Sequence, residues 1–312
     1  MKHNISNFKN KIPIAFALND KYAYPLIVTL TSILYNSSPD TFYIFYLLLN
    51  PDVKKKKIDR ILGIKDKYPN CEIELIKMGD KYEDYPHGKN CSPIYYRLDL
   101  PDLIPDMDKI IYLDVDTIIH NDLTEMYNIN MDNYYYMGFP DHDIDYYQFE
   151  GNLNFINTGV LLINLKNLRQ ANSSVQFQNY YKEHSTQKVD EYLINAVFYK
   201  HITFLPFIYG IPDFGAGSPT TSTISHFVKE FHNCVNWTES EMENYSKNRV
   251  ITHMCYESDK WWQKNYTNLT EIGKQWLFYA SKSNAFKDIC KLYNQFESEC
   301  KKIKKNKIKF LY

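Results

Sequence analysis

Three near-continuous apolar runs constrain the fold most: IPIAFAL at 12–18, FYIFYLLL at 42–49 and KIIYL at 109–113. A strand that is apolar on both faces has to be covered on both faces, which is the situation of a parallel sheet with helices on either side. The segments between the runs supply those helices. YPLIVTLTSILYNS (24–37) reads as an apolar helix, and PDVKKKKIDRILGIKDKY (51–68) places Val53, Ile58, Ile61 and Ile64 on one helical face, its lysines on a solvated one. CEIELIKM (71–78) alternates as a strand does, and PIYYRLDL (93–100) suits a short helix. The resulting β-α-β-α-β order predicts a mostly parallel sheet flanked by helices. In such sheets, ligands collect at the carboxyl ends of strands near a switch point.

Further along, YYYMGF is a candidate strand, NFINTGVLLINLKNL (154–168) a strand running into a helix, and DEYLINAVFYK (190–200) a helix. GIPDFGAGSPTTSTIS (210–225) is loop-like, and the tail from about Thr270 reads as helical before the basic KKIKKNKIKFLY. With no internal repeat and no linker, one compact domain is expected over 1–268. Its first half would lie at about 12–120 and its second at 121–268, with 269–312 as a helical C-terminal extension.

The run KIIYL ends in Asp114-Val115-Asp116, after which apolar sequence resumes. Unpaired buried charge is costly, so two carboxylates here require a neutralising partner. In extended chain residues i and i+2 point the same way, so Asp114 and Asp116 project together while Val115 turns back to the core. Two converging carboxylates form a hard-oxygen site for Mg²⁺ or Mn²⁺, which could in turn hold a diphosphate. The spacing alone is not selective: Asp106/Asp108, Asp141/Asp143 and Asp143/Asp145 share it, but only Asp114/Asp116 directly follows a buried strand. G-x-G-x-x-G, P-loop, H-E-x-x-H and G-x-S-x-G patterns are missing. With 10 glycines in the chain, a diphosphate would have to lean on metal and basic side chains rather than on a backbone cradle.

Lys+Arg at 36 against Asp+Glu at 37 gives a formal charge of -1, which argues against nucleic acid as partner. Six scattered cysteines show no zinc-ligand spacing. Together with the absence of a signal-peptide-like start or a long apolar run, they lead us to expect a cytoplasmic protein. Residues 301–312 could rest on an anionic membrane through Ile303, Ile308, Phe310 and Leu311, or be a solvated terminus.

Five blocks, in order between about residues 12 and 262, together resemble the family 8 retaining glycosyltransferases, which include lipooligosaccharide galactosyltransferases and glycogenin. They are AFALNDKYAYPLIVTLTSI, SPIYYRLDLPDLIPDMDKIIYLDVDTII, FINTGVLLINLKNLR, DEYLINAVF and HMCYESDKWW. The resemblance implies a GT-A-type, Rossmann-like nucleotide-sugar-binding fold and a UDP-glucose or UDP-galactose donor. The acceptor would be a glycan, glycolipid or glycoprotein hydroxyl. It also implies residue roles. Asp114, Asp116 and His253 would hold Mn²⁺, with Mg²⁺ as the alternative; imidazole beside carboxylates favours the transition metal. Asn19, Lys21 and Tyr22 would hold base and ribose, Tyr22 by stacking. Arg97, Val115 and Lys260 would contact the donor, Lys260 favouring departing diphosphate charge. Asn157, Thr158 and Gly159 would line the sugar pocket.

Retention calls for either a carboxylate nucleophile or front-face displacement, in which the leaving phosphate deprotonates the acceptor. Asp190 and Glu191 are the carboxylates at the right place; front-face chemistry, with Asp190 binding sugar hydroxyls, is the expectation. Glu191 stands where many relatives carry Gln. His253 to Lys260 is one residue longer than the family spacing, Trp261 replaces its proline, and the intervening glycine is missing. A protein side chain as acceptor, a non-catalytic sugar-nucleotide-binding module and a nucleotidyltransferase are the alternatives. The last lacks its Gly-rich opening turn after AFAL.

Overall fold

The computed structural model describes residues 8–85, 92–140, 155–184, 190–210, 248–254 and 271–292, and the fold and the site are built from these residues. The chain opens with β1 (Asn10–Leu18), α1 (Ala23–Tyr35), β2 (Thr41–Leu49), α2 (Lys55–Leu62) and β3 (Cys71–Lys77). A 3₁₀ stretch, Ser92–Asp99, runs into α3 (Leu100–Leu103), followed by β4 (Lys109–Leu113), β5 (Thr117–Ile119), α4 (Thr124–Tyr127) and β6 (Tyr136–Pro140). Next come β7 (Ile156–Asn164), α5 (Leu165–Gln170), α6 (Ser173–His184), α7 (Asp190–Phe198), β8 (Ile202–Phe204), β9 (Ile251–His253), α8 (Glu271–Lys282) and α9 (Phe286–Leu292).

The central sheet is seven-stranded, in the order β3-β2-β1-β4-β7-β6-β8. Among its described strands β7 alone runs against its neighbours, β4 and β6; the remaining pairings are parallel. β1 accounts for the two-faced apolar pattern. Ile12, Ile14, Phe16 and Leu18 point into the layer that holds α1 and α8, whereas Ala15 and Ala17 point into the layer that holds Tyr95, Tyr96 and Leu193. The period of two thus distributes one strand between two cores. Trp276, Leu277 and Tyr279 of α8 are buried in the first of these, so the C-terminal helix shares the core of the sheet.

Two local readings are refined. The short helix expected at PIYYRLDL is 3₁₀ over Ser92–Asp99, and seven of these eight residues are buried, Arg97 among them. Asp114–Asp116 do not lie within one strand. β4 stops at Leu113, and the chain turns and resumes as β5 in a separate two-stranded sheet with β9. Asp141, Asp143, Lys260, the 210–225 loop beyond Gly210 and the basic tail lie outside the described residues.

Candidate active site

The turn between β4 and β5 has every backbone carbonyl engaged. Asp114 N–H donates to Gly159 O (2.7 Å) and Met254 N–H to Asp116 O (2.9 Å). The Thr117 hydroxyl donates to Asp114 O (2.9 Å), and the Thr29 hydroxyl reaches Val115 O and Thr117 O (2.9 and 2.8 Å). β5 pairs with β9 antiparallel, Thr117 opposite His253. That pairing carries His253 to the two aspartates. One donor atom from each of Asp114, Asp116 and His253 lies within 4.8 Å of the others. His253 Nε2 is 3.7 Å from Asp114 Oδ2 and 3.4 Å from Asp116 Oδ1.

These residues fit a divalent cation on two observations. Two carboxylate oxygens and an imidazole nitrogen are the donor set of a borderline transition metal such as Mn²⁺. The space is also kept open by Gly159: a Cβ there would lie 2.1 Å from His253 Cε1, 2.6 Å from its Nε2 and 2.9 Å from Asp114 Oδ2. The missing side chain at Gly159 makes room for the imidazole and the carboxylate.

Arg97 organises the charge beneath. It is 4 % exposed, with Nη2 3.0 Å from Asp114 Oδ1 and Nε 3.1 Å from Asp190 Oδ2. It also donates to the carbonyls of Ile94 and Thr158 and lies over the Tyr112 ring at 4.3 Å. The Tyr112 hydroxyl donates to Asp114 Oδ1 (3.1 Å). Asp114 therefore has one oxygen committed to Arg97 and Tyr112 and the other turned to His253. Tyr112 was legible only as core; its place in β4 two residues before Asp114 was the available signal. Among the described residues, the carboxylates of Asp114, Asp190 and Glu191 act on this guanidinium, and with Asp116 beside Asp114 the site carries an excess of negative charge that a cation would offset.

The two acids of α7 differ. Asp190 is 4 % exposed, faces Arg97 and accepts from the Thr158 hydroxyl (3.3 Å). Glu191 is half-buried, its Oε2 accepting from Asn157 Nδ2 (3.2 Å) and Thr158 N–H (3.1 Å). Burial, opposed by Arg97 and reinforced by Asp114, pushes the Asp190 carboxyl up to about 6 from an ordinary 3.8. With a folded pKa above the unfolded one, the native state binds the extra proton between pH 4 and 6, so stability falls as pH rises through that window. In chelated protein, the difference in stability between Asp190→Asn and the parent should shift in favour of the variant as pH is raised from 4 to 7. Denaturant midpoints at each pH measure this, and parallel curves would refute it.

Asn195, which sequence reasoning passed over, fixes α7 to β7. Its Oδ1 accepts from Ile156 N–H, and its Nδ2 donates to Ile156 O and Glu191 O, each at 2.8 Å, with the side chain fully buried. Asn195→Leu leaves two buried backbone groups of Ile156 unpaired and should cost about 3 kcal/mol of stability; urea unfolding is the measurement.

A cavity of about 190 Å³ opens beside the aspartates, lined on one side by Ala17, Leu18, Asn19 and Tyr22 and on the other by Pro93, Ile94, Arg97, Tyr112 and residues 114–116. Asn19, Tyr22, Arg97 and Val115 thus share one pocket with the cluster; Lys21 is exposed, its ammonium 5.4 Å from the Tyr22 ring. The turn that presents Asn19 and Tyr22 is tied down by Asp20, which accepts from Lys57 Nζ (2.8 Å) and Lys54 N–H (3.0 Å).

Comparison with known proteins places this arrangement. A Haemophilus influenzae protein named as a glycosyltransferase is 27 % identical over 207 residues, 62 % of this chain and 61 % of its own. Glycosyltransferase GlyF of Streptococcus pneumoniae is 30 % identical over 156 residues, 49 % of this chain and 36 % of its own. The chain thus spans less than two thirds of the length of these curated relatives. Among solved structures, the galactosyltransferase LgtC in complex with donor and acceptor sugar analogues superposes with a TM-score of 0.69 at 19 % identity, covering 88 % of this chain and 96 % of that one. The fold is accordingly the GT-A fold. The sequence profile described as Glycosyl transferase family 8 matches residues 13–266, a span that holds β1, the Asp114–Asp116 turn, Gly159, α7 and His253, and the chain belongs to that family.

Proposed function

We propose that the protein transfers a hexose, glucose or galactose, from a UDP-sugar to a hydroxyl of a glycan or glycolipid, with retention of anomeric configuration. The observation that carries this reading is the convergence of Asp114, Asp116 and His253 at the rim of a pocket that also contains Asn19 and Tyr22. Asn19 and Tyr22 would bind the uridine, Tyr22 by its ring face. Asp114 through Oδ2, Asp116 through Oδ1 and His253 through Nε2 would hold Mn²⁺. When bound, the ion supplies Lewis-acid neutralisation of the diphosphate as it departs.

The chain's own residues orient the sugar. Asn157, Thr158 and Glu191 form one hydrogen-bonded group next to the cluster, with Asn157 Oδ1 also accepting from Gly159 N–H (2.9 Å). Asp190 is turned into Arg97 and Thr158, which supports a role in holding the sugar-side scaffold over attack at carbon. That favours front-face displacement, in which the leaving phosphate takes the acceptor proton. Among the described residues no helix is long and apolar enough to cross a membrane.

The test is a donor screen: purified protein with Mn²⁺ and a panel of UDP- and GDP-sugars, reading free nucleoside diphosphate. Turnover of a UDP-hexose that chelation abolishes is the expected result. Chelator-resistant turnover would overturn the cation assignment, and silence on every donor would leave a sugar-nucleotide-binding module.

A further inference from the structure

The helix α1 reads as apolar, yet one of its stripes is polar and fully occupied. Thr29 and Ser32, three residues apart, and Asn36, just past the helix end and four residues beyond Ser32, share one side of the helix. That side faces β5 on the edge opposite β9. The Thr29 hydroxyl reaches the carbonyls of Val115 and Thr117 (2.9 and 2.8 Å), the Ser32 hydroxyl accepts from Ile119 N–H (3.0 Å), and Asn36 Nδ2 donates to Ile119 O (2.8 Å). Thr29 and Ser32 are fully buried. The helix does what a neighbouring strand would do. It satisfies the free edge of a three-residue strand whose other edge carries His253.

Within this stripe Thr29 has the most consequential partners. Its two acceptors bracket Asp116: one is the carbonyl of the peptide that precedes it, the other belongs to the residue on its C-terminal side. The Asp116 side-chain direction is set by the peptide planes on either side: the Thr29 hydroxyl holds the plane before it through Val115 O, Met254 N–H holds the plane after it through Asp116 O, and Thr29 also ties the next plane through Thr117 O. We propose that Thr29 is a positioning residue for the cation site, fixing Asp116 relative to Asp114 and His253 without touching ligand. This rests on the cation reading above. Partners that orient ligands from behind commonly govern metal affinity by 10- to 100-fold.

Thr31 supplies a matched control. It lies on the same helix and is equally buried, but its hydroxyl donates only to Ile27 O within the helix (2.7 Å). The experiment is a Mn²⁺ titration of metal-stripped protein, without nucleotide, read by the electron paramagnetic resonance signal of free Mn²⁺. It compares the parent, Thr29→Val, Thr29→Ser and Thr31→Val, with a thermal melt of each. Thr29→Val should weaken Mn²⁺ binding about 10-fold or more. Thr29→Ser, which keeps the donor, should restore it, and Thr31→Val should bind as the parent does even where its melting temperature falls. If Thr29→Val does not fold, Thr29→Ala against Thr31→Ala is read in the same way. Equal Mn²⁺ affinity in the Thr29 and Thr31 variants would overturn the positioning role and leave the cation site standing. A parent protein that binds no Mn²⁺ would overturn the cation site itself.

Discussion

Asp116→Asn is expected to fold at least as stably as the parent and to lose about a thousandfold in the metal-dependent UDP-hexose turnover proposed above. The two effects have opposite physical origins. Asp116 is 5 % exposed and has a carboxylate oxygen within 4.8 Å of one of Asp114, so removing one negative charge without changing shape relieves repulsion in the metal-free protein. The carbonyl that fixes its backbone, accepting from Met254 N–H at 2.9 Å, is untouched. With Mn²⁺ and donor present, the amide is a poor hard-oxygen ligand. Losing about 4 kcal/mol of transition-state charge stabilisation corresponds to roughly 10³ in rate. Thermal melts in chelator and initial rates of nucleotide release measure the two halves separately. A variant that keeps more than a tenth of the parent rate would show that Asp116 does not serve the diphosphate.

Gly159→Ala should be as damaging through sterics alone. The added methyl would sit 2.1 Å from His253 Cε1 and 2.9 Å from Asp114 Oδ2, distances no carbon tolerates. β7 cannot retreat, because it is paired on one side to β4 and on the other to β6. The imidazole has to swing out, and the cluster is left with two donors. We expect Mn²⁺ affinity to fall at least 100-fold, turnover to fall with it, and stability to drop by about 1–3 kcal/mol from overpacking. Calorimetric Mn²⁺ titration of the folded variant decides the matter, since parent-like binding would mean that His253 is not a ligand.

How far the sequence could be read depended on the range of each interaction. The two-faced runs around Phe16 and Phe45 announced a covered sheet, because burial on both sides leaves no polar positions to alternate with. The Asp114/Asp116 pair stood out for the same reason, as charge directly after such a run. The antiparallel direction of β7 was not legible, since a strand carries the same side-chain pattern in either direction. The short helix over Ser92–Asp99 was legible; its 3₁₀ form was not, because its apolar residues suit either helix. Arg97 could be read as a donor contact only through resemblance. Its actual surroundings, Asp114, Asp190, Tyr112 and the Thr158 carbonyl, come from several different segments.

What the sequence by itself determined is local: strands that must be buried, a helix with its lysines outward, and two acids at a strand end whose spacing turns them to one side. What the tertiary structure decided is convergence. His253 reaches the aspartates because β9 pairs with β5 in the register that sets it opposite Thr117. Gly159 matters because an imidazole passes where its side chain would be. Asp190 holds its proton more tightly because the sheet and α7 close over it, and Thr29 matters because α1 lies along the free edge of β5. Residue spacing encodes which way neighbouring side chains point, over a few ångströms of chain. Desolvation and hydrogen-bond register across distant segments arise only once the chain has folded.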